Sequence, residues 1–109
     1  MSVGLTMVRR LAADHPAFVG HFPGQPLLPG VVLLAEVIEA VRADAELTAL
    51  LGPSPGIASV KFMAPVRPEG MQPIELSIVI QPQGSGVRFE VQRGAIAVAR
   101  GQLVPGGGA

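Results

Sequence analysis

A histidine and a glycine nine residues apart, His21 and Gly30, are the residues of this sequence best placed to do chemistry together. They bracket the run Gly20-His21-Phe22-Pro23-Gly24-Gln25-Pro26-Leu27-Leu28-Pro29-Gly30, in which prolines that fix φ alternate with glycines that permit sharp bends. The run leads into Val31-Val32-Leu33-Leu34-Ala35-Glu36-Val37-Ile38-Glu39-Ala40-Val41, almost wholly apolar and free of Pro and Gly, which reads as a buried helix. Pro29-Gly30 marks its start, because a first-turn proline gives up no hydrogen bond. The first N–H groups of a helix lack internal acceptors and sit at the positive end of its dipole. Gly30 has no side chain to block approach, so its N–H could grip a carbonyl oxygen. A stiff turn holding His21 nearby would aim a base at the same substrate. A polarised carbonyl beside a base suits proton abstraction alpha to a thioester.

Each residue also has a plainer explanation. His21 could hydrogen-bond backbone and hold the turn, and Gly30 could simply allow close helix packing; neither excludes the chemical role. His15 precedes Pro16 in turn chemistry and reads as a surface or turn residue.

The motif G-H-F-P-G-x-P-x-x-P-G followed by an apolar helix resembles the 3-hydroxyacyl-(acyl-carrier-protein) dehydratases of bacterial fatty-acid synthesis, the FabZ and FabA types. It also resembles their shorter relatives in aryl-polyene and polyketide-like pathways. Gly20, His21, Phe22, Pro23, Gly24, Pro26, Pro29 and Gly30 match in order without a gap. Val60-Lys61-Phe62-Met63-Ala64-Pro65-Val66-Arg67-Pro68 resembles the family's strand after the helix. The resemblance implies an α+β hot-dog fold, a long central helix wrapped by a curved antiparallel β-sheet, paired as a dimer. It implies an acyl thioester of acyl carrier protein or coenzyme A as substrate, and no metal, nucleotide or redox cofactor. His21 would be the base and the Gly30 N–H the carbonyl donor. Phe22, Pro29, Val31, Leu34 and Ile38 would line the substrate's path, although core packing explains the helix residues equally well. Arg67 would dock the carrier, with Arg88, Arg93 and Arg100 as further candidates.

The sequence departs from the family at one position. The family's catalytic carboxylate lies five residues after the glycine matching Gly30, and that position is Ala35. By resemblance the acid would come from the partner chain's helix. Glu36 is rotated ~100° from Ala35 about a helix axis, whereas Glu39 is ~40° away and ~6 Å further along. Three readings stay open: Glu39 acts from one turn deeper, Glu36 acts after a change of helix rotation or register, or neither is placed and dehydration is weak or absent. The last describes a non-catalytic acyl-binding subunit; a hot-dog thioesterase is a third class of activity. Glu39 and Arg42 could also form an ordinary ion pair.

Composition sets outer bounds. At 109 residues, 49% hydrophobic and only 15% charged, one domain over residues 1–109 carries more apolar surface than a monomer of this size readily hides. A homodimer or higher homo-oligomer is the simple expectation. Net charge is zero, which gives no reason to expect nucleic acid or an anionic membrane as partner. There are no cysteines, so thiolate chemistry and disulfides are excluded. The first residues lack a signal-peptide pattern and Val31–Val41 is too short to span a bilayer, so the expected location is the cytoplasm.

The positioning elements read as follows. Strands are expected at Leu5–Leu11, Ile57–Ala64, Ile74–Gln81, Val87–Arg93 and Ala95–Val104, the last with alternation blurred by alanines. The helix runs from about Pro29 to at least Val41; whether Asp44–Leu51 continues it is open. Turn signals fall at 52–56, 67–73, 81–86 and 94. Helix first and then an antiparallel meander gives an α+β class, with 105–109 as a frayed tail.

Overall fold

The computed structural model describes residues 5–12, 30–67 and 71–106. Its elements in chain order are β1 (Leu5–Leu11), α1 (Gly30–Arg42), α2 (Ala45–Leu51), β2 (Gly56–Phe62), β3 (Ile74–Gln83), β4 (Gly86–Arg93) and β5 (Ile96–Val104). The stretch Asp44–Leu51 is a helix of its own. Asp44 has extended backbone, and its side chain accepts from the Leu47 N–H at 2.9 Å, so it caps a new helix rather than extending α1. Gly52 ends α2 at φ 78°, a conformation only glycine adopts freely.

The strands form one antiparallel sheet in the order β1-β3-β4-β5-β2. The expected meander holds only for β3, β4 and β5, which are joined by turns at Gly84-Ser85 and Gly94-Ala95. Such short links force neighbours to pair. The link from β2 to β3 is long, which frees β2 to cross to the far edge beside β5. β3 also runs two residues further than expected, through Pro82. Among the described residues the pairing with β1 reaches Ile80, and β4 continues alongside Pro82.

One face of the sheet is apolar. Ile74, Leu76, Ile78 and Ile80 of β3 and Val87, Phe89 and Val91 of β4 follow strict alternation and are buried. They meet Leu33, Val37, Ala40 and Val41 of α1 and Leu47 and Leu51 of α2 in a single core. The broken alternation of β5 has a structural cause. The register slips opposite Val91/Gln92, which inserts Val98 as an extra residue, and Val98 and Ala99 are both buried. The Val98 carbonyl then accepts from the N–H groups of both Met63 and Ala64, at 2.7 and 3.2 Å. Beyond β5, the Gly106 N–H donates to the Leu51 carbonyl and ties the chain back to the end of α2.

Candidate functional site

His21, Phe22 and Pro29, and likewise His15, lie outside the described residues. Gly30 is the first residue of α1. It has ordinary helical backbone, since the positive-φ glycines among the described residues are Gly52, Gly84 and Gly94. What its missing side chain provides is space. A Cβ at residue 30 would lie 2.6 to 3.0 Å from Cζ, Cε1 and Cε2 of Phe62, so the tip of that ring occupies the side-chain volume. Close packing therefore accounts for the glycine, while the Gly30 N–H, at N1, has no acceptor within the helix.

The faces of α1 sort the remaining candidates. Val31, Ala35, Glu39 and Arg42 are all exposed and spaced to form one outward stripe, opposite the buried Leu33, Val37, Ala40 and Val41. Val31 is 73% exposed. Leu34 and Ile38 are half-buried on the flank next to Val31, so the three apolar candidates are contiguous. Glu36 is half-buried on the opposite flank with Val32. Glu39 thus shares the stripe of Ala35 and Glu36 does not. Glu39 and Arg42 do not pair; the ion pair found among the described residues is Arg10–Glu75, at 3.1 Å.

The candidate arginines fall into two groups that could not be sorted by sequence. Arg93 Nη1 donates to the Arg67 backbone carbonyl at 2.6 Å, joining those two near the start of β3. Arg88 is held along the outer sheet face by Gln81, through Nε at 3.0 Å and Nη2 at 2.6 Å. Arg100 stands opposite Lys61 and Glu90 in register on the same face, in an open groove of about 500 Å³ to which α1 contributes nothing. No described helix is long and apolar enough to cross a membrane.

Phe62, whose ring tip fills the side-chain volume beside Gly30, carries no signal of that contact in the sequence. It was visible only as part of a family-like strand, far along the chain from Gly30, and no spacing rule links the two.

A helix packed on one face of a five-stranded antiparallel sheet with this strand order is the α+β hot-dog fold. The ApeI-like dehydratase family model matches residues 4–102, and the chain belongs to that family. The 3-hydroxyacyl-(acyl-carrier-protein) dehydratase FabZ of Thermomicrobium roseum is 34% identical over 108 residues, covering 89% of this chain and 68% of the relative. FabZ of Symbiobacterium thermophilum is 31% identical over 84 residues, and FabZ of Haemophilus influenzae 29% over 85. Each of these two matches covers 73% of this chain but only 59% and 57% of the relative's own length. Among solved structures, the dehydratase heterocomplex ApeI:P from Xenorhabdus doucetiae superposes with a TM-score of 0.69 at 25% identity, over 93% of this chain and 85% of that one. An uncharacterised protein from Erwinia carotovora shares the fold, with a TM-score of 0.61 at 20% identity. The chain is thus a hot-dog protein of the ApeI-like dehydratase family.

Proposed function

We propose that the chain is a subunit of a 3-hydroxyacyl-thioester dehydratase working in fatty-acid or polyketide-type synthesis. The thioester carbonyl is held by the Gly30 N–H, which lowers the cost of negative charge developing on that oxygen. His21 takes a proton from C2. The C2–H electron pair becomes the C2–C3 double bond, and the C3 hydroxyl leaves as water once an acid has protonated it. The substrate arrives on acyl carrier protein or coenzyme A, the acyl chain lies along Val31, Leu34 and Ile38 with Phe22 and Pro29 at the motif, and Arg67 with its neighbour Arg93 receives the carrier. No cofactor takes part.

The observation that carries this reading is the outward stripe of α1. In the family the acid sits at the position of Ala35 and serves a site between two chains. The exposed side of α1 is the side a second chain can reach, and Glu39 lies on it one turn beyond Ala35. Glu39 is therefore the acid of the proposed mechanism, and Glu36, on the flank, is not. The matching assembly is a second copy, a homodimer that pairs its sites across the edge of β2, which no described strand covers.

Ala35 also favours a second reading. A chain with no carboxylate at that position could bind the acyl thioester while a different hot-dog subunit brings the acid, and the ApeI-like relative was solved as a heterocomplex. Hydration of crotonyl-CoA separates the two. A positioned acid is worth ~10²- to 10⁴-fold in rate, so Glu39→Gln is expected to lower turnover by about that factor, as is His21→Ala, with Glu36→Gln near wild type. No turnover by the wild type, with turnover gained on Ala35→Glu, supports the acid-less subunit instead. Cleavage of the thioester without hydration points to a thioesterase and overturns both.

A further inference from the structure

We propose that Phe62 selects the acyl chain: its ring closes the space beside Gly30 to thioesters that carry a substituent larger than hydrogen at C2. This deepens the thioester site proposed above and rests on it.

Phe62 is the last residue of β2, and its ring reaches from the sheet edge to the first turn of α1. It is not part of the core, since 48% of its surface is exposed. A large apolar side chain left half in solvent, with its tip seated against a glycine, is poor use of a core aromatic. It is a good wall for a cleft. The backbone beneath it is fixed: Phe62 pairs with Ala99, and the next two N–H groups both donate to Val98. The ring therefore approaches Gly30 from an anchored strand.

A carbonyl oxygen accepting from the Gly30 N–H would sit about 2.9 Å from the nitrogen. The thioester carbon is one bond further and C2 two bonds, roughly 4 to 5 Å from the Gly30 nitrogen. Beside the Gly30 Cα the ring atoms Cζ, Cε1 and Cε2 fill the volume that a side chain at residue 30 would take. An aromatic edge offers no hydrogen bond to the substrate and acts by exclusion. A hydrogen on C2 passes, whereas a methyl there competes with Cζ. The exposed side of the ring leaves the rest of the acyl chain unhindered. One methyl placed against such a wall changes discrimination by roughly 10- to 200-fold.

The test is binding, which needs no acid: titration calorimetry of crotonyl-CoA and of its 2-methyl analogue, tiglyl-CoA, to the full chain and to Phe62→Leu. The wild type is expected to bind crotonyl-CoA about tenfold or more tightly than tiglyl-CoA. Phe62→Leu, which removes the ring tip, is expected to bring the ratio near unity through a gain in tiglyl-CoA affinity. Phe62→Met, which keeps the length in a flexible chain, is expected to fall between them and serves if the leucine variant does not fold. The same ratio in wild type and variants overturns the inference and leaves the dehydratase reading standing. So does an equal loss for both thioesters, which marks a structural role. Failure of the wild type to bind either thioester overturns the proposed function, and the inference with it.

Discussion

Two residues far apart in sequence meet at the start of α1, and their contact can be measured apart from any activity. Gly30→Ala sets a methyl against the Phe62 ring tip, 2.6 to 3.0 Å away. The ring is half-exposed and can swing, so the expected loss is about 1 kcal/mol, at the low end of overpacking. In a Phe62→Leu background the clash is gone, and the same change is expected to gain about 0.5 kcal/mol from the better helix former. Urea unfolding of the four proteins closes this cycle; equal losses in both backgrounds would remove the ring as the reason for the glycine. At the same scale, the separation of Glu39 from Glu36 is a matter of helix geometry. One residue's difference puts Glu36 beside Val32 and away from the stripe that Ala35 and Glu39 share.

Elements carry these residues to one place, and the joints between elements are where single changes tell most. The Asp44 carboxylate that starts α2 has one partner, the Leu47 N–H. Asp44→Ala is expected to cost about 1 kcal/mol, read from the denaturation midpoint, whereas Asp44→Ser, which can still cap, is expected to cost a few tenths. The β2–β5 joint is tighter. A side chain at Gly101 would run into the Ser59 carbonyl oxygen and the Phe89 ring. Backbone cannot move aside as a side-chain tip can, so Gly101→Ala is expected to cost about 3 kcal/mol. Hydrogen exchange should then quicken along β2 more than along β3, with loss of the Phe62–Gly30 contact. Unchanged protection of β2 would mean that the strand is held by something other than this close approach.

For the whole molecule, the uneven cover of the sheet is the informative feature. β3 alternates buried and exposed residues, but β2 has no buried residue and ends the sheet with an outer edge that no described strand pairs. Ile57 and Phe62 on β2, Met63 just after it and Val31 on α1 add exposed apolar surface near that edge. Unprotected edges of this kind pair with other chains, and the zero net charge gives little long-range repulsion against it. Sedimentation is expected to show a dimer or larger species, and Ile57→Glu to weaken self-association at least about tenfold. A wild type that sediments as a monomer at high micromolar concentration, and associates only with a second hot-dog chain, would favour the heteromeric reading.

The residues themselves determined more of this protein than its length suggests. Leu5–Leu11 was legible as a strand, because alternation and turn residues are local signals. The start of α1 was legible from Pro29-Gly30, and the family from an ungapped motif. By resemblance to the family, the position expected to hold the acid is Ala35. Strand order was not legible, since short links force pairing but a long one leaves the strand's place to packing. The same limit hid the separate α2, the bulge at Val98 and the sorting of the arginines. It hid Phe62 most completely: that Gly30 makes room for a ring from another element is a fact about two surfaces in contact, and only the tertiary structure brings those surfaces together.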